Sequence, residues 1–426
     1  MSASTTDNTT LISPNSLNSQ PATSLSLSQT DSNLYYGLAG EIVKTIEPYS
    51  EADPVAINVQ LLAGFGNIIG KKPHFRAEDD IHSFKINPVL VGDTSKGRKG
   101  VSWSRCKHIY KQVATSWVEK CITTGLSSAE GLIWAIRDPI GEEGRDNYDP
   151  GVDDKRILVI EPEFATILRR IQGQGNTLSA IIRQAWDSDV LRAITKHSPA
   201  KSTGAHVTII GHITKDELIR YLDSTEMANG FANRYIWIKT ERSKLLPEGG
   251  SVPESELRPL ITRVKDAIDF ATNVGEMRRD DEAKDYWAYI YRSLSEGSPG
   301  MVGSLTARAE PYTMRLAGIY ALLDRSAIVR IEHLKAGAAL WNYSVSCVKQ
   351  IFGTAIGDPI ADTIYRFLIM QPDGLTRTQI HNLFAHHQKA AAIDRALQFL
   401  HRLGRVKLVV NPTPGRSEER WYATAK

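Results

Sequence analysis

Four short runs within the first 240 residues are rich in consecutive apolar residues: NPVLVG ending at Gly92, RILVIE ending at Glu161, HVTIIGHIT ending at Thr214 and RYIWIKT ending at Thr240. A strand with one wet face alternates apolar and polar residues, so near-continuous runs indicate strands buried on both faces. Around them the apolar spacing becomes helical. LYYGLAGEIVKTIEP has a helical pattern that stops at Pro48, and DPVAINVQLLAGFGNIIG opens with Asp53 as N-cap and Pro54 at the first helical position. One helix is expected over VSWSRCKHIYKQVATSWVEKC and another over GLSSAEGLIWAIRD, with Ser127 or Ser128 as its cap. Two more are expected over TLSAIIRQAWDS and KDELIRYLDSTEM. Strands alternating with helices predict an α/β fold: a mostly parallel sheet with helices on both faces.

The pattern changes twice further along. SKLLPEGGSVPES, rich in Gly, Pro and Ser, reads as a boundary. From about Glu256 to Phe352 the periodicity is helical throughout. Beyond it, ADTIYRFLIMQ, LTRTQIHNLF (capped by Thr376) and KAAAIDRALQFLHRLG (ending at Gly404) read as three helices. RVKLVV and RWYAT then read as strands joined by the turn in NPTPGRSEE. Three helices and a β-hairpin predict a winged helix. The expected organisation is a tail over residues 1–33, an α/β domain with N-terminal helices over 34–245, a helical region over 246–356 and a winged-helix domain over 357–426.

With 426 residues, the chain is long enough for two or three domains and a sizeable core. The Ser-, Thr- and Asn-rich first 33 residues contain no Lys or Arg, and none occurs before Lys44. They lack the early positive charge of a leader and the apolar content needed to order themselves, so a flexible tail is expected. Cys106, Cys121 and Cys347 lie far apart with no CxxC, which argues against a cysteine zinc site or disulfide framework and suits a reducing cytoplasm. No apolar run is long enough to cross a bilayer. The net charge of +3 permits a nucleic-acid partner without demanding one, because a local basic face matters more than the total.

The turn after the first buried strand carries the chemistry. Phosphate binding needs backbone N–H groups that converge on an anion at a helix N-terminus, and a cation that reaches the terminal phosphates. Between a strand and a helix, GxxxxGK[ST] provides both. In VGDTSKGRKGVSW, Gly92 and Gly97 have that spacing, with Asp93, Thr94, Ser95 and Lys96 between them. The spelling then departs from the consensus. Arg98 is inserted before Lys99, Gly100 stands where the hydroxyl belongs, and Ser102 follows two positions later. Lys99, in a loop bulged by one residue, is the favoured phosphate lysine. Arg98 and Lys96 are the alternatives, and Ser102 is the expected hydroxyl on the Mg²⁺ side. A basic glycine-rich turn without a ligand would have the same composition.

The second buried strand ends in Glu161, with Glu163 two residues on. A nucleotide hydrolase needs an acid there for hydrated Mg²⁺ and a group to orient the attacking water. Glu130 in SSAEGL is a rival for the catalytic acid. His212, near the end of the third strand, is a candidate sensor of the terminal phosphate; a structural hydrogen bond is its plainer use. Arg234, at the start of the fourth strand, is a candidate to act on a neighbouring subunit's nucleotide, against an ordinary salt bridge at a strand edge.

Together, VGDTSKGRKGVSW, GLSSAEGLIWAIRDPI, RILVIEPEFA, GNTLSAIIRQAWDS, SPAKSTGAHVTIIGHIT and NGFANRYIW resemble one family. It comprises RecA-like P-loop ATPases of bacterial plasmids, prophages and integrated elements. They are similar to RepA-type replicative helicases and are found beside or fused to primase–polymerase domains. The resemblance runs from about Leu34 to Phe352. It implies a RecA-like P-loop NTPase core, hydrolysis of ATP with Mg²⁺, and assembly of identical copies into a ring, for which a hexamer is one form. By position it assigns Gly92, Gly97, Lys99 and Ser102 to the nucleotide loop, Glu161 to the metal-side acid, His212 to the sensor strand and Arg234 to the subunit-crossing arginine. It also implies that DSDVLRAITKHSPAKSTGAH projects DNA-gripping loops, where Arg192, Lys196, His197 and Lys201 would meet phosphates. A solvated hairpin is the alternative.

Residues 358–426 hold ten Lys and Arg against six Asp and Glu, with four His. A winged helix would offer its third helix, carrying Lys389, Arg395 and Arg402, to the major groove, and a wing flanked by Arg416 and Arg420 to the backbone. Many winged helices bind protein instead. The expectation is an ATP-dependent oligomeric motor on single- or double-stranded DNA, with primase or other replication proteins as partners. Its rivals are an ATP-switched DNA-binding initiator that does not translocate and a nucleotide-free scaffold.

Overall fold

The computed structural model describes residues 31–193, 200–298, 300–353, 358–384, 388–412 and 417–424. The four buried runs become strands of one five-stranded sheet: β1 (Pro88–Gly92), β2 (Ile122–Thr123), β3 (Arg156–Glu161), β4 (His206–Thr214) and β5 (Ile236–Lys239). Only β2, a two-residue edge strand, was not expected. The order is β2-β3-β4-β1-β5, and every pairing is parallel.

Side chains leave the two faces of the sheet alternately, and both faces are apolar. Leu90, Leu158, Ile160, Ile210, Ile236 and Ile238 join a core with α1 (Gly37–Ile46), α2 (Pro54–Ile68) and α3 (Lys99–Val113). Val89, Val91, Val159, Ile209 and Trp237 pack on the other side with α4 (Ala129–Trp134), α5 (Ala165–Ile171), α6 (Leu178–Asp187) and α7 (Lys215–Tyr221). α2 starts as the sequence suggests: the Asp53 carboxylate accepts from the N–H groups of Val55 and Ala56, and Pro54 takes the first position. The helix is buried all round, so its polar residues need internal partners. Asn67 Nδ2 donates to Ile157 O and His206 O, which ties α2 to β3 and β4.

Two expected helices are each divided. The chain leaves the helical region at Ala114 (φ −146°, ψ 54°), so α3 is followed by a separate helix, Thr115–Lys120. After α7 the Asp223 carboxylate accepts from Glu226 N–H and starts a new short helix, Ser224–Ala228. An antiparallel hairpin, His74–Ala77 with Asp80–Ser83, was not foreseen. A second hairpin pairs Val190–Ala193 with Ala200–Thr203.

The helical region contains α8 (Glu254–Ala271), α9 (Asp281–Ser295), α10 (Gly300–Thr306), α11 (Ala309–Leu323) and α12 (Ile331–Phe352). A short parallel pairing of Arg278–Arg279 with Ile328–Val329 lies within it. α8, α11 and α12 share one continuous core with α1, α2 and the sheet. The last turn of α6 is a junction of this core. Lys85 Nζ donates to Ala185 O (2.5 Å), and Arg315 donates to Trp186 O (3.3 Å) with its guanidinium 3.5 Å from the Trp186 ring. Basic groups suit the negative end of a helix dipole.

The C-terminal segment has its own small core of Ile364, Leu368, Ile380, Ile393, Leu397, Leu400 and Trp421. It comprises α13 (Pro359–Met370), α14 (Arg377–Asn382, capped by Thr376) and α15 (Ala390–Arg402). An antiparallel sheet in the order β6-β8-β7 completes it: β6 (Leu375–Thr376), β7 (Val406–Asn411) and β8 (Glu418–Ala423). The tail expected over residues 1–33 lies outside the described residues up to position 30; Leu34 and Tyr35 are buried. Among the described residues no helix is long and apolar enough to cross a membrane.

Candidate functional site

In a parallel sheet, ligands collect at the carboxyl ends of strands where neighbouring connections diverge. That condition is met between β1 and β4. The helix following β1, α3, packs on one face of the sheet, and the helix following β4, α7, packs on the other. The turn from Asp93 to Arg98 leaves β1 at this crevice.

Local bonds shape the turn. The Thr94 hydroxyl accepts from Lys96 N–H (3.1 Å), and Thr94 O accepts from Gly97 N–H (3.3 Å), closing a single 3-10 turn over Ser95–Gly97. Arg98 then adopts a left-handed conformation (φ 53°), which costs a non-glycine residue roughly 1–2 kcal/mol. Its side chain is tethered: Arg98 Nε donates to Glu51 Oε2 at 2.6 Å, and Arg242 donates to the same oxygen at 2.6 Å. α3 begins at Lys99 with no side-chain cap from Arg98, leaving its first-turn N–H groups without that partner.

Of the three cations weighed from the sequence, Lys99 is the one whose tip lies within the turn. Its Nζ donates to Thr94 O (3.2 Å) and would stand 2.8 Å from a Cβ placed on Gly92. A Cβ on Gly97 would lie 3.8 Å from Gly92 Cα and 3.9 Å from the same Nζ. The contacts at Gly97 are ordinary ones, so it is Gly92 that makes room for the ammonium. Lys96 is exposed, and Arg98 is turned toward Glu51. Burial pushes the Lys99 pKa down, while the carboxylates of Glu217 and Asp93 push it back up. Glu217, in the first turn of α7, has no counterpart in the sequence-based expectations. Gly100 is exposed, and a Cβ there would meet nothing within 4 Å. A cavity of about 270 Å³ lies against the turn, lined by Asp93, Thr94, Lys96, Gly97, Thr240, Glu241 and Arg242.

Ser102 departs from expectation. It is fully buried, donates to Lys99 O (2.6 Å) and accepts from Gln60 Nε2 (2.6 Å). The residue inserted at Arg98 carries this hydroxyl deeper into α3, where α2 covers it, so it is not presented to a metal ion. Its partner Gln60 also receives His212. His212 is 4% exposed and shares a 3.0 Å hydrogen bond between its Nε2 and Gln60 Oε1. Burial, reinforced by the charge of Lys99, lowers its pKa to about 4, so the ring is neutral at pH 7. His212 therefore faces α2 rather than the mouth of the turn, and it reaches the loop only through Gln60 and Ser102. Three buried amides in an otherwise apolar helix (Asn58, Gln60, Asn67) are the signal that could have exposed this network.

Glu161 closes β3, one strand away from β1, which sets it about 10 Å across the sheet. It is 6% exposed, and Leu126 N–H donates to its Oε2 (3.1 Å). Burial raises its pKa against the backbone N–H groups of Leu126 and Gly125. The acidic turn is anchored on β4: Phe164 N–H donates to His212 O, and a Cβ on Gly211 would strike the Phe164 ring at 2.5 Å. Glu163 is exposed, as is Glu130 in the first turn of α4, which accepts from Thr177 Oγ1 at 3.4 Å. Among the described residues no three or more His, Cys, Asp or Glu cluster as a ready cation site. Mg²⁺ commonly takes one or two carboxylates and completes its shell from phosphate oxygens and water, so Glu161 fits that habit.

Arg234 is also not where a subunit-crossing role needs it. It precedes β5, at the end of the sheet opposite the turn, with its side chain 9% exposed. It donates to Asp187 Oδ2 (2.5 Å) and to Gly230 O (2.5 Å), and Asp187 also takes Arg308 (3.4 Å). Packing turns this arginine inward to the end of α6, which is the plainer of its two readings.

Arg192 and Lys201 are exposed on the second hairpin; Lys196 and His197 lie outside the described residues. In the C-terminal segment Lys389, Arg395 and Arg402 are exposed, and Arg416 lies outside the described residues. Arg395 and Arg402 line a cavity of about 590 Å³ shared with Met227, Met301 and Ser304, so that side of α15 looks onto the rest of the protein rather than an open groove-reading surface. Arg420 is occupied by Glu418 (3.0 Å) and Asp373 O (3.1 Å). No model of a known protein family matches the sequence, and no curated protein matches it.

Proposed function

We propose that the chain is a RecA-like P-loop ATPase that works on DNA as a replicative-helicase-like motor of a mobile element. The observation that carries the reading is the Lys99 ammonium lying against Gly92, beside an uncapped helix N-terminus, at the divergence point of a parallel sheet. The uncapped first turn of a helix and one cation at such a point favour the phosphates of a nucleotide. In this reading the turn from Gly92 to Gly100 wraps the β- and γ-phosphates, and Lys99 exchanges its bond to Thr94 O for a phosphate oxygen. Glu161 holds a hydrated Mg²⁺, which when bound offsets phosphate charge. Glu163 or Glu130 orients the attacking water. The hairpin carrying Arg192 and Lys201 faces DNA, the C-terminal segment acts as a winged helix, and copies assemble with each other and with primase or related replication proteins.

Equilibrium binding of a fluorescent ATP analogue tests the foundation. Lys99→Ala should abolish most of it, with Lys96→Ala and Arg98→Ala close to wild type; wild type that binds no nucleotide would refute the reading. A second reading, an ATP-switched DNA-binding initiator that does not translocate, is favoured by one observation. Arg234 is committed within its own subunit, which removes the expected route from one subunit to the next. Hydrolysis stimulated many-fold by DNA supports the motor; a single turnover per binding event supports the switch.

A further inference from the structure

We propose that the open face of Trp134 is a base-stacking platform for single-stranded nucleic acid, with Arg192 and Lys201 as its phosphate contacts. This deepens the DNA reading above and rests on it for the class of partner.

Trp134, the last residue of α4, is 46% exposed, an unusual amount for the largest apolar side chain. One face of its ring is backed by the Arg137 guanidinium, 4.1 Å from the ring centroid. That guanidinium is itself fixed. It donates to both Asp149 oxygens (2.6 and 2.8 Å) and back to Trp134 O (3.1 Å). Asp149 neutralises the charge, so what remains is a stiff aromatic surface rather than a free cation. A surface already set in place loses little rotamer freedom when a ligand lands on it.

The chain just after Trp134 is bonded along the second hairpin. Ser202 Oγ donates to Ile136 O (2.6 Å), Asp138 N–H to Lys201 O (2.8 Å), and Thr203 N–H to Asp138 Oδ1 (2.8 Å). On that hairpin Arg192 and Lys201 are direct cross-strand partners. Both are exposed, and neither has an ion-pair partner among the described residues. Like charges placed directly opposite each other destabilise a hairpin, so the pair costs stability unless an anion lies across it. A polyanion that also carries accessible ring faces satisfies both features. Single-stranded nucleic acid is such a ligand, whereas a duplex hides its base faces.

The full chain is titrated against labelled oligo-dT and oligo-U of equal length, by anisotropy over a salt series. Trp134→Ala should weaken binding about 10-fold or more, with Trp134→Phe recovering most of it. The salt dependence should stay as in wild type, because stacking releases no counterions. Lys201→Gln should instead reduce the slope of log affinity against log salt by about 0.7. Equal loss on both oligonucleotides supports a general stacking site; loss on one alone supports it for that strand type. Wild-type affinity in Trp134→Ala overturns the proposal, as does a change in self-association with oligonucleotide binding intact, which would make the surface a protein contact. ATP-analogue binding by wild type, read in the same samples, tests the nucleotide reading separately, and thermal unfolding excludes misfolding.

Discussion

If the turn binds phosphate as proposed, Gly92→Ala should disable it while leaving the protein folded. The added methyl would sit 3.3 Å from Thr94 O and 3.5 Å from Thr240 O, which the backbone accommodates by a few tenths of an ångström at most. It would also sit 2.8 Å from Lys99 Nζ, and the ammonium cannot stay there. That atom ends a flexible side chain, so it swings away without straining the backbone. Folding then loses one hydrogen bond, from Lys99 to Thr94 O, worth about 1 kcal/mol and partly replaced by water. A bound phosphate loses a charge-assisted bond worth about 1.5–3 kcal/mol. At about 1.4 kcal/mol per tenfold, this is roughly 10- to 150-fold in Kd. The assay is ATP-analogue binding paired with urea unfolding for wild type, Gly92→Ala, Lys99→Ala and the double variant. Both substitutions act through one ammonium, so the double variant should bind no more weakly than the worse single one. Additive losses, or wild-type affinity in Gly92→Ala, would refute the argument that the glycine exists to admit the lysine.

Three further outcomes follow from the geometry. Arg234→Ala should cost about 2 kcal/mol in urea unfolding, less than a fully buried pair, because Asp187 is 46% exposed and keeps Arg308; unchanged stability with lost hydrolysis would restore a catalytic role. Gln60→Leu strands the buried ring nitrogen of His212 and should cost about 1–3 kcal/mol, with Gln60→Leu and His212→Phe together costing less than their sum; simple additivity would break the proposed link. The Leu246 N–H and the guanidinium groups of Arg242 and Arg98 hold the Glu51 carboxyl down from 4.5 to about 2. A depressed folded-state value means this contribution is complete above pH 4.5 and disappears as pH falls through about 2. Thermal unfolding of Glu51→Gln should accordingly vary less over that window than wild type, and an identical pH profile would count against the tether.

The strands were legible because burial on both faces leaves a mark in composition: RILVIE has four consecutive apolar residues, and in HVTIIGHIT the neighbours Ile209 and Ile210 enter the two opposite cores. The start of α2 was legible because Asp53 and Pro54 act locally. The turn was legible as a spacing of glycines, yet the role of each cation was not, since Lys96, Arg98 and Lys99 differ only in where the backbone aims them. What escaped was set by distant packing. Ser102 looked available until α2 covered it, and Arg234 looked like a reaching arginine until Asp187 claimed it. Ala114 ended a helix that periodicity alone would have continued.

The junction at the end of α6 has a mechanical consequence. Lys85, just ahead of β1, and Arg234, just ahead of β5, are both fastened there, and the far ends of those strands carry the turn of Lys99 and Thr240 beside it. The second hairpin departs from the same junction at Val190. The approaches to β1 and β5 and the root of the hairpin therefore share one anchorage, and a substitution at the end of α6 would loosen all three together.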